Sequence, residues 1–389
     1  MRHFSSALLL MAAILCGCSP AVHECSDEIR IVSWGGISAD KADTLYSLAK
    51  ECGFNTHLGL YSTQKNAVRS MDAAARAGMD IIINFPQIKD STESAVALIK
   101  DHPALIAYHI KDEPDTSDFG WLKALKEKIA DVDPEHPCYI NLLPNWAWDV
   151  DEYAEKIALF ASTIDVPFYS FDNYPIIEKE GSAVVRPDWY RNLEEFSEMS
   201  RRNGKPFWGF ALAKAHSITV PWPDTTYPEP TLGHLRLQVF SNLLYGAQAI
   251  QYFNFTGIVD PATCKKLPAY ELVRKVNSEI KAYSHIFAGS KVLGVWHTGE
   301  IIPSGTKRLE VMPHEKVKSL SIRGEGAMVS LIENHGKTYL AVQNKDHIKP
   351  AILDISFSSR VLRILPYKKE YNNPGPITIE PGNVMIFRL

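Results

Sequence analysis

An eightfold alternation of short β-branched or aromatic runs with amphipathic stretches predicts a (β/α)8 TIM barrel, followed by a small antiparallel β-sandwich. Three observations carry that expectation: the rhythm itself, glycine stops after several helical stretches, and a change of texture beyond residue 289. The apolar runs at 29–34, 56–61, 80–85, 105–110, 138–142, 166–171, 206–212 and 249–253 read as buried parallel strands. Helical spacing follows at 42–52, 65–77, 94–100, 119–132, 150–162, 189–203 and 231–245, with an eighth helix closing near Gly289. Gly53, Gly78, Gly204 and Gly246 stand just past helix ends, where the left-handed conformation costs glycine little. Eight units of about 28 residues fill the roughly 250 typical of such a barrel, here 28–289. A doubly wound open sheet is the alternative, but the first turn, Ser33-Trp34-Gly35-Gly36-Ile37-Ser38, lacks the glycine-rich phosphate fingerprint. Beyond 289, alternating runs at 317–322, 327–333, 338–343, 351–355 and 384–389, separated by turns such as Pro381-Gly382-Asn383, place the sandwich at 290–389.

The amino terminus reads as an export signal. Residues 1–17 combine Arg2 with an apolar run too short to span a bilayer, and end in Leu15-Cys16-Gly17-Cys18. That order resembles a bacterial lipobox, which implies cleavage before Cys18, its lipidation, and a tether over 18–27 that holds the protein to a periplasmic or cell-surface membrane. Cys25, Cys52, Cys138 and Cys264 show no metal or disulfide spacing, and neither a metal nor a cofactor is expected. A formal net charge of -4 argues against nucleic acid as a partner.

In a barrel the loops after the strands line one mouth, so polar residues at strand ends form the short list of functional groups. The fourth run ends in Lys111-Asp112-Glu113-Pro114, where a rigid apolar strand meets two carboxylates and a proline without a backbone donor. Fixed carboxylates suit acid/base work on a glycosidic bond, and a glutamate crowded by an aspartate has a raised pKa. Asp172 follows the sixth run, where Asp172-Asn173-Tyr174-Pro175 is equally good turn chemistry. Trp34, Asn84, His109, Asn141, Trp146, Tyr174, Trp208 and Gln251 are expected to form a carbohydrate subsite, since hydroxyls need polar partners and sugar C–H faces pack on aromatic rings.

Tyr108-His109-Ile110-Lys111-Asp112-Glu113-Pro114 resembles the fourth-strand signature of barrel glycoside hydrolases, which implies Glu113 as proton donor. The segments 168–175 and 244–253 resemble bacterial β-galactosidase-like barrels, and 380–387 is similar to the last strand of their sandwich appendages. Two departures stand out. Asp112 occupies the place where retaining enzymes of this kind carry an asparagine, and 207–214 has no carboxylate where they carry a nucleophilic glutamate.

Three resolutions stay open. Asp172 is the second carboxylate, as in α-galactosidase-type barrels with fourth- and sixth-strand aspartates. Alternatively, Asp112 and Glu113 act as an adjacent pair, as in barrel N-acetylhexosaminidases whose substrate supplies the nucleophile. Or no nucleophile exists and a degenerate barrel binds glycan without cleaving it. A metal-dependent hydrolase would need His57, His109 and His216 to converge on one ion.

Overall fold

The computed structural model describes residues 28–148, 151–219, 224–371 and 375–389. The expected signal peptide, Cys18, the tether up to residue 27 and Cys25 lie outside these, as do the expected helix start at 150 and part of the proline-rich loop at 220–230. Eight parallel strands form the barrel: β1 (Arg30–Trp34), β2 (Thr56–Leu60), β3 (Asp80–Asn84), β4 (Leu105–Asp112), β5 (Cys138–Asn141), β6 (Tyr169–Ser170), β7 (Phe207–Leu212) and β8 (Ala249–Phe253). Their order is β5-β4-β3-β2-β1-β8-β7-β6, and a parallel bridge between Leu142 and Phe171 brings the two ends together. The Leu142 amide donates to the Ser170 carbonyl at 2.8 Å across that join.

Strand alternation sorts the side chains into two cores. Ile31, Ile81, Ile83, Tyr108 and Ile250 face the helices, whereas Val32, Trp34, Leu58, Ile82, Ala107, Tyr139, Phe168, Trp208 and Phe210 fill the barrel interior. Two strands depart from their expected lengths. The sixth, expected over 166–171, pairs in ladder form only at Tyr169–Ser170, because Pro167 has no amide to contribute. The fourth, expected to stop at 110, continues to Asp112 and carries a bulge: its register against β5 shifts between His109 and Lys111.

Two hairpins at the mouth are not foreseen by the sequence pattern. Ile176–Lys179 pairs with Ser182–Val185 after β6, and His216–Ile218 pairs with Thr225–Tyr227 after β7. Each strand is three or four residues long, below the length at which alternation is readable.

The carboxyl-terminal part holds β9 (Lys291–His297), β10 (Val317–Arg323), β11 (Ala327–Asn334), β12 (Lys337–Asn344), β13 (Ala351–Phe357), β14 (Leu362–Leu365), β15 (Lys368–Tyr371), β16 (Ile377–Ile379) and β17 (Val384–Arg388). They form two antiparallel sheets, β9-β11-β12-β17-β14-β15 and β10-β13-β16, around Val329, Leu340, Val342, Leu353 and Phe387. The helix Leu232–Leu244 is buried from Gly233 to its end, between the barrel and the larger sheet. Gln343 of β12 reaches it, donating to the Leu237 carbonyl at 3.1 Å and accepting from Ser241 at 2.8 Å. Buried amides seated this way tie the sandwich to one flank of the barrel and leave the mouth open.

Candidate active site

The bulge in β4 decides which residues enter the barrel. Before it, Ala107 and His109 point inward; strict alternation would bring Lys111 in next. The extra residue reverses the parity, and Asp112 comes into register with the inward Asn141 of β5. Lys111 is half-exposed, with its ammonium 4.0 Å from Asp118. Asn84 supports this turn, its amide donating to the His109 carbonyl at 2.6 Å. Glu113 follows with its amide on the Asn141 carbonyl at 2.9 Å and a φ of 47°. That left-handed backbone strains any residue with a side chain, and such strain persists where the surroundings impose it.

Asn141 joins three strands. Its single amide nitrogen donates to Asp112 at 3.2 Å and to Asp172 at 2.9 Å. Behind it runs a one-way chain of donors: the Tyr139 hydroxyl to Gln251 at 2.8 Å, the Gln251 amide to Ser170 at 2.8 Å, and the Ser170 hydroxyl to the Asn141 side-chain oxygen at 2.9 Å. Every amide proton of Asn141 is thereby directed at a carboxylate, and its orientation is fixed from the barrel centre.

Asp112, Glu113 and Asp172 are the acids of the floor. Glu113, Asp172 and Tyr174 meet at this floor, close enough for the carboxyls to interact electrostatically. Burial first, and the Asp112 charge second, push the Glu113 carboxyl up to about 7. Asp172 is raised well above the usual carboxylate range by burial and then by Glu113 and Asp112. Asp112 is raised by burial against the opposing Asn141 bond; it is accessible from the mouth, yet protein surrounds most of its carboxyl. Carboxyls this close cannot all ionise in a low-dielectric floor, so the Glu113–Asp172 pair retains a proton near neutral pH.

Above the acids lies a cavity of about 220 Å³ lined by Trp34, Trp146, Tyr174, Phe210, His216, Ile218, Tyr227 and Phe253 together with Asp112, Glu113, Asn141 and Asp172. Trp146 is backed by Arg186, whose guanidinium sits 4.2 Å from the indole centroid. Among the described residues, no lysine or arginine lines the cavity.

Of the residues expected from sequence, the structure brings Glu113, Asp112, Asp172, Trp34, Asn141, Trp146 and Tyr174 to this one cavity. Four expected subsite residues lie elsewhere. Asn84 holds the β4 turn, and Gln251 belongs to the donor chain beneath Asn141. Trp208 stacks on Phe168 at 3.9 Å inside the barrel, and His109 is buried edge-on against Trp34. All four sit on inward strand positions, which sequence cannot separate from the layer above. Asn141, expected to touch substrate, has its amide committed to the two aspartates.

His57 faces the helices with Tyr46 against it and Ser33 at 2.9 Å from Nδ1, away from His109. No group of three metal-ligating side chains occurs among the described residues. His216, Ile218 and Tyr227 come from the second hairpin; His216 alone had a sequence signal, as a polar residue beyond β7. Asp224 and Glu229 of the proline-rich loop are exposed and do not line the cavity.

A family model described as Beta-galactosidase matches residues 117–267, from the helix after β4 through β8. No curated protein matches the chain in sequence. A solved glycoside hydrolase structure is similar at 14% identity, covering 92% of each chain with a TM-score of 0.55. An α-fucosidase from Thermotoga maritima, solved with fucose, is similar at 9% identity over 90% of this chain and 74% of that one, TM-score 0.43. A GH10 xylanase from Thermobacillus composti is similar at 12% identity over 64% and 97%, TM-score 0.42. The fold rests on the first of these structures. The family model matches the second half of that barrel, from the helix after β4 to just beyond β8.

Proposed function

We propose that the protein hydrolyses O-glycosidic bonds of an oligo- or polysaccharide, with Glu113 as general acid and base. The observation that carries this reading is the placing of the Glu113 and Asp172 carboxyls together at the floor of an aromatic-walled cavity, where burial raises both. A donor near neutral pH must hold its proton until the glycosidic oxygen takes it, and a carboxyl at about 7 does so. Asp172 keeps that proton in place and serves as the second carboxylate. Asp112, adjacent and open to the mouth, supplies negative charge to the oxocarbenium-like transition state. The β-galactosidase family match favours a galactose-like sugar at this site.

A second reading is substrate-assisted cleavage of an N-acetylated sugar, with Asp112 orienting the acetamido group. The carboxylate-free end of β7 favours it. A panel of nitrophenyl glycosides, including the β-galactoside and the N-acetyl-β-galactosaminide, separates the two. Turnover lost in Glu113→Gln with sugar binding kept supports the acid assignment; unchanged turnover sinks it. Azide added to Asp172→Ala yields a glycosyl azide of inverted anomeric configuration where Asp172 is the nucleophile. Cleavage confined to N-acetylated substrates favours substrate assistance.

We also propose that Cys18 is lipidated and anchors the enzyme to a bacterial membrane at the periplasmic face or cell surface. Labelled palmitate should enter the wild type and not Cys18→Ala.

A further inference from the structure

We propose that His216 is a specificity-determining residue that accepts a hydrogen bond from a sugar hydroxyl in the cavity, an inference resting on the glycosidase reading. Its Nδ1 lies 3.1 Å from the Lys214 carbonyl, which can only accept, so the ring proton is on Nδ1. Nε2 is left as an acceptor on a ring that borders the cavity. The ring is held from several sides. It stacks on Tyr227 at 4.7 Å and 23°, and it packs on Phe253 at 5.8 Å and Tyr174 at 6.5 Å. Burial and the nearby Lys214 ammonium favour the neutral imidazole, which preserves the lone pair.

The remaining polar lining agrees with this. Asp112 and an ionised member of the Glu113–Asp172 pair are acceptors, and the Asn141 amide is already committed. Among the described residues no lysine or arginine lines the cavity, so it suits a neutral or amino sugar whose hydroxyls can donate to these acceptors. A uronate, sulfate or phosphate would meet the floor carboxylates with no lysine or arginine among the described lining residues, so anionic sugars are disfavoured.

Titration calorimetry with deoxynojirimycins of galacto, gluco and fuco configuration tests this, since their protonated nitrogen pairs with the acids and their hydroxyls donate. Against the tightest binder of the three, His216→Phe keeps the stack and loses the acceptor, and should weaken binding about tenfold. His216→Gln, which offers a side-chain oxygen, should recover most of that, and melting curves confirm that both variants fold. Equal affinity of wild type and His216→Phe overturns the assignment to His216. Failure of the wild type to bind all three overturns the glycoside-site reading, and the inference with it.

Discussion

The ends of β4 and β7 answer opposite demands. β4 is eight residues long, bulged, and ends in Glu113 at a φ of 47° beside two further carboxyls. β7 is six residues, buried throughout, unbulged in its pairing with β8, and carries no charge. β7 ends in apolar wall: Phe210 faces the cavity, and the chain continues into the hairpin that brings His216 and Tyr227 over it. The contrast teaches that the acids of this barrel are concentrated on the β4–β6 side, while the β7 side contributes shape, stacking and the neutral imidazole of His216. Asp112 and Asp172 are grouped around one asparagine, and the end of β7 carries neither.

The comparison predicts effects of different kind on the two sides. The largest belongs to Glu113→Gln, which should lower kcat by about 10²–10⁴-fold on a glycoside whose leaving alcohol needs a proton, and by less on a nitrophenyl glycoside. Asn141→Ala should follow. Loss of the amide removes the donor that Asp112 and Asp172 share, so kcat/KM should fall about tenfold or more and stability by about 1–3 kcal/mol in urea denaturation. On the other strand, a Cβ on Gly209 would approach the Asn242 side chain at 1.8 Å. Gly209→Ala should therefore cost about 1–3 kcal/mol of stability by overpacking, with the pH profile of kcat/KM unmoved. A shifted profile would mean that β7 is coupled to the acids, and the comparison would break.

Smaller effects sharpen it. Glu113 binds its proton more tightly folded than unfolded, with an ordinary value of 4.5 raised to about 7. Folded stability should thus fall as pH rises through that window, and Glu113→Gln should raise Tm at pH 8 by about 2–4 °C with little change at pH 4. In the wild type, kcat/KM should decline as pH rises through about 7, because the donor loses its proton. The smallest effect is conformational. Glu113→Gly relieves the left-handed backbone, and should exceed Glu113→Gln in stability by about 0.5–1 kcal/mol, although glycine's unfolded-state entropy opposes the gain.

Much of the fold was legible because its signals are local. Alternating apolar runs and helical spacing repeat within a few tens of residues, and glycine marks the helix ends. The two hairpins escaped because strands of three or four residues carry too few positions to show a period. Among site residues, the acids and the rim aromatics were legible as polar or aromatic groups after strand ends. Asn84, His109, Trp208 and Gln251 were placed one layer too high, since sequence gives the inward face of a strand without the depth along the barrel axis.

The sequence by itself determined a (β/α)8 barrel with a sandwich behind it, and two carboxylates at the end of the fourth strand. Tertiary structure decided what those carboxylates became. Strand parity at Lys111 and Asp112 depends on hydrogen-bond register with β5, and a register shift there exchanged which side chain faces inward. The partnership of Glu113 with Asp172 likewise arose from barrel closure between β5 and β6, which brings distant segments together around Asn141. Local pattern can place an acid at the mouth; only the closed sheet supplies the neighbours that keep its proton.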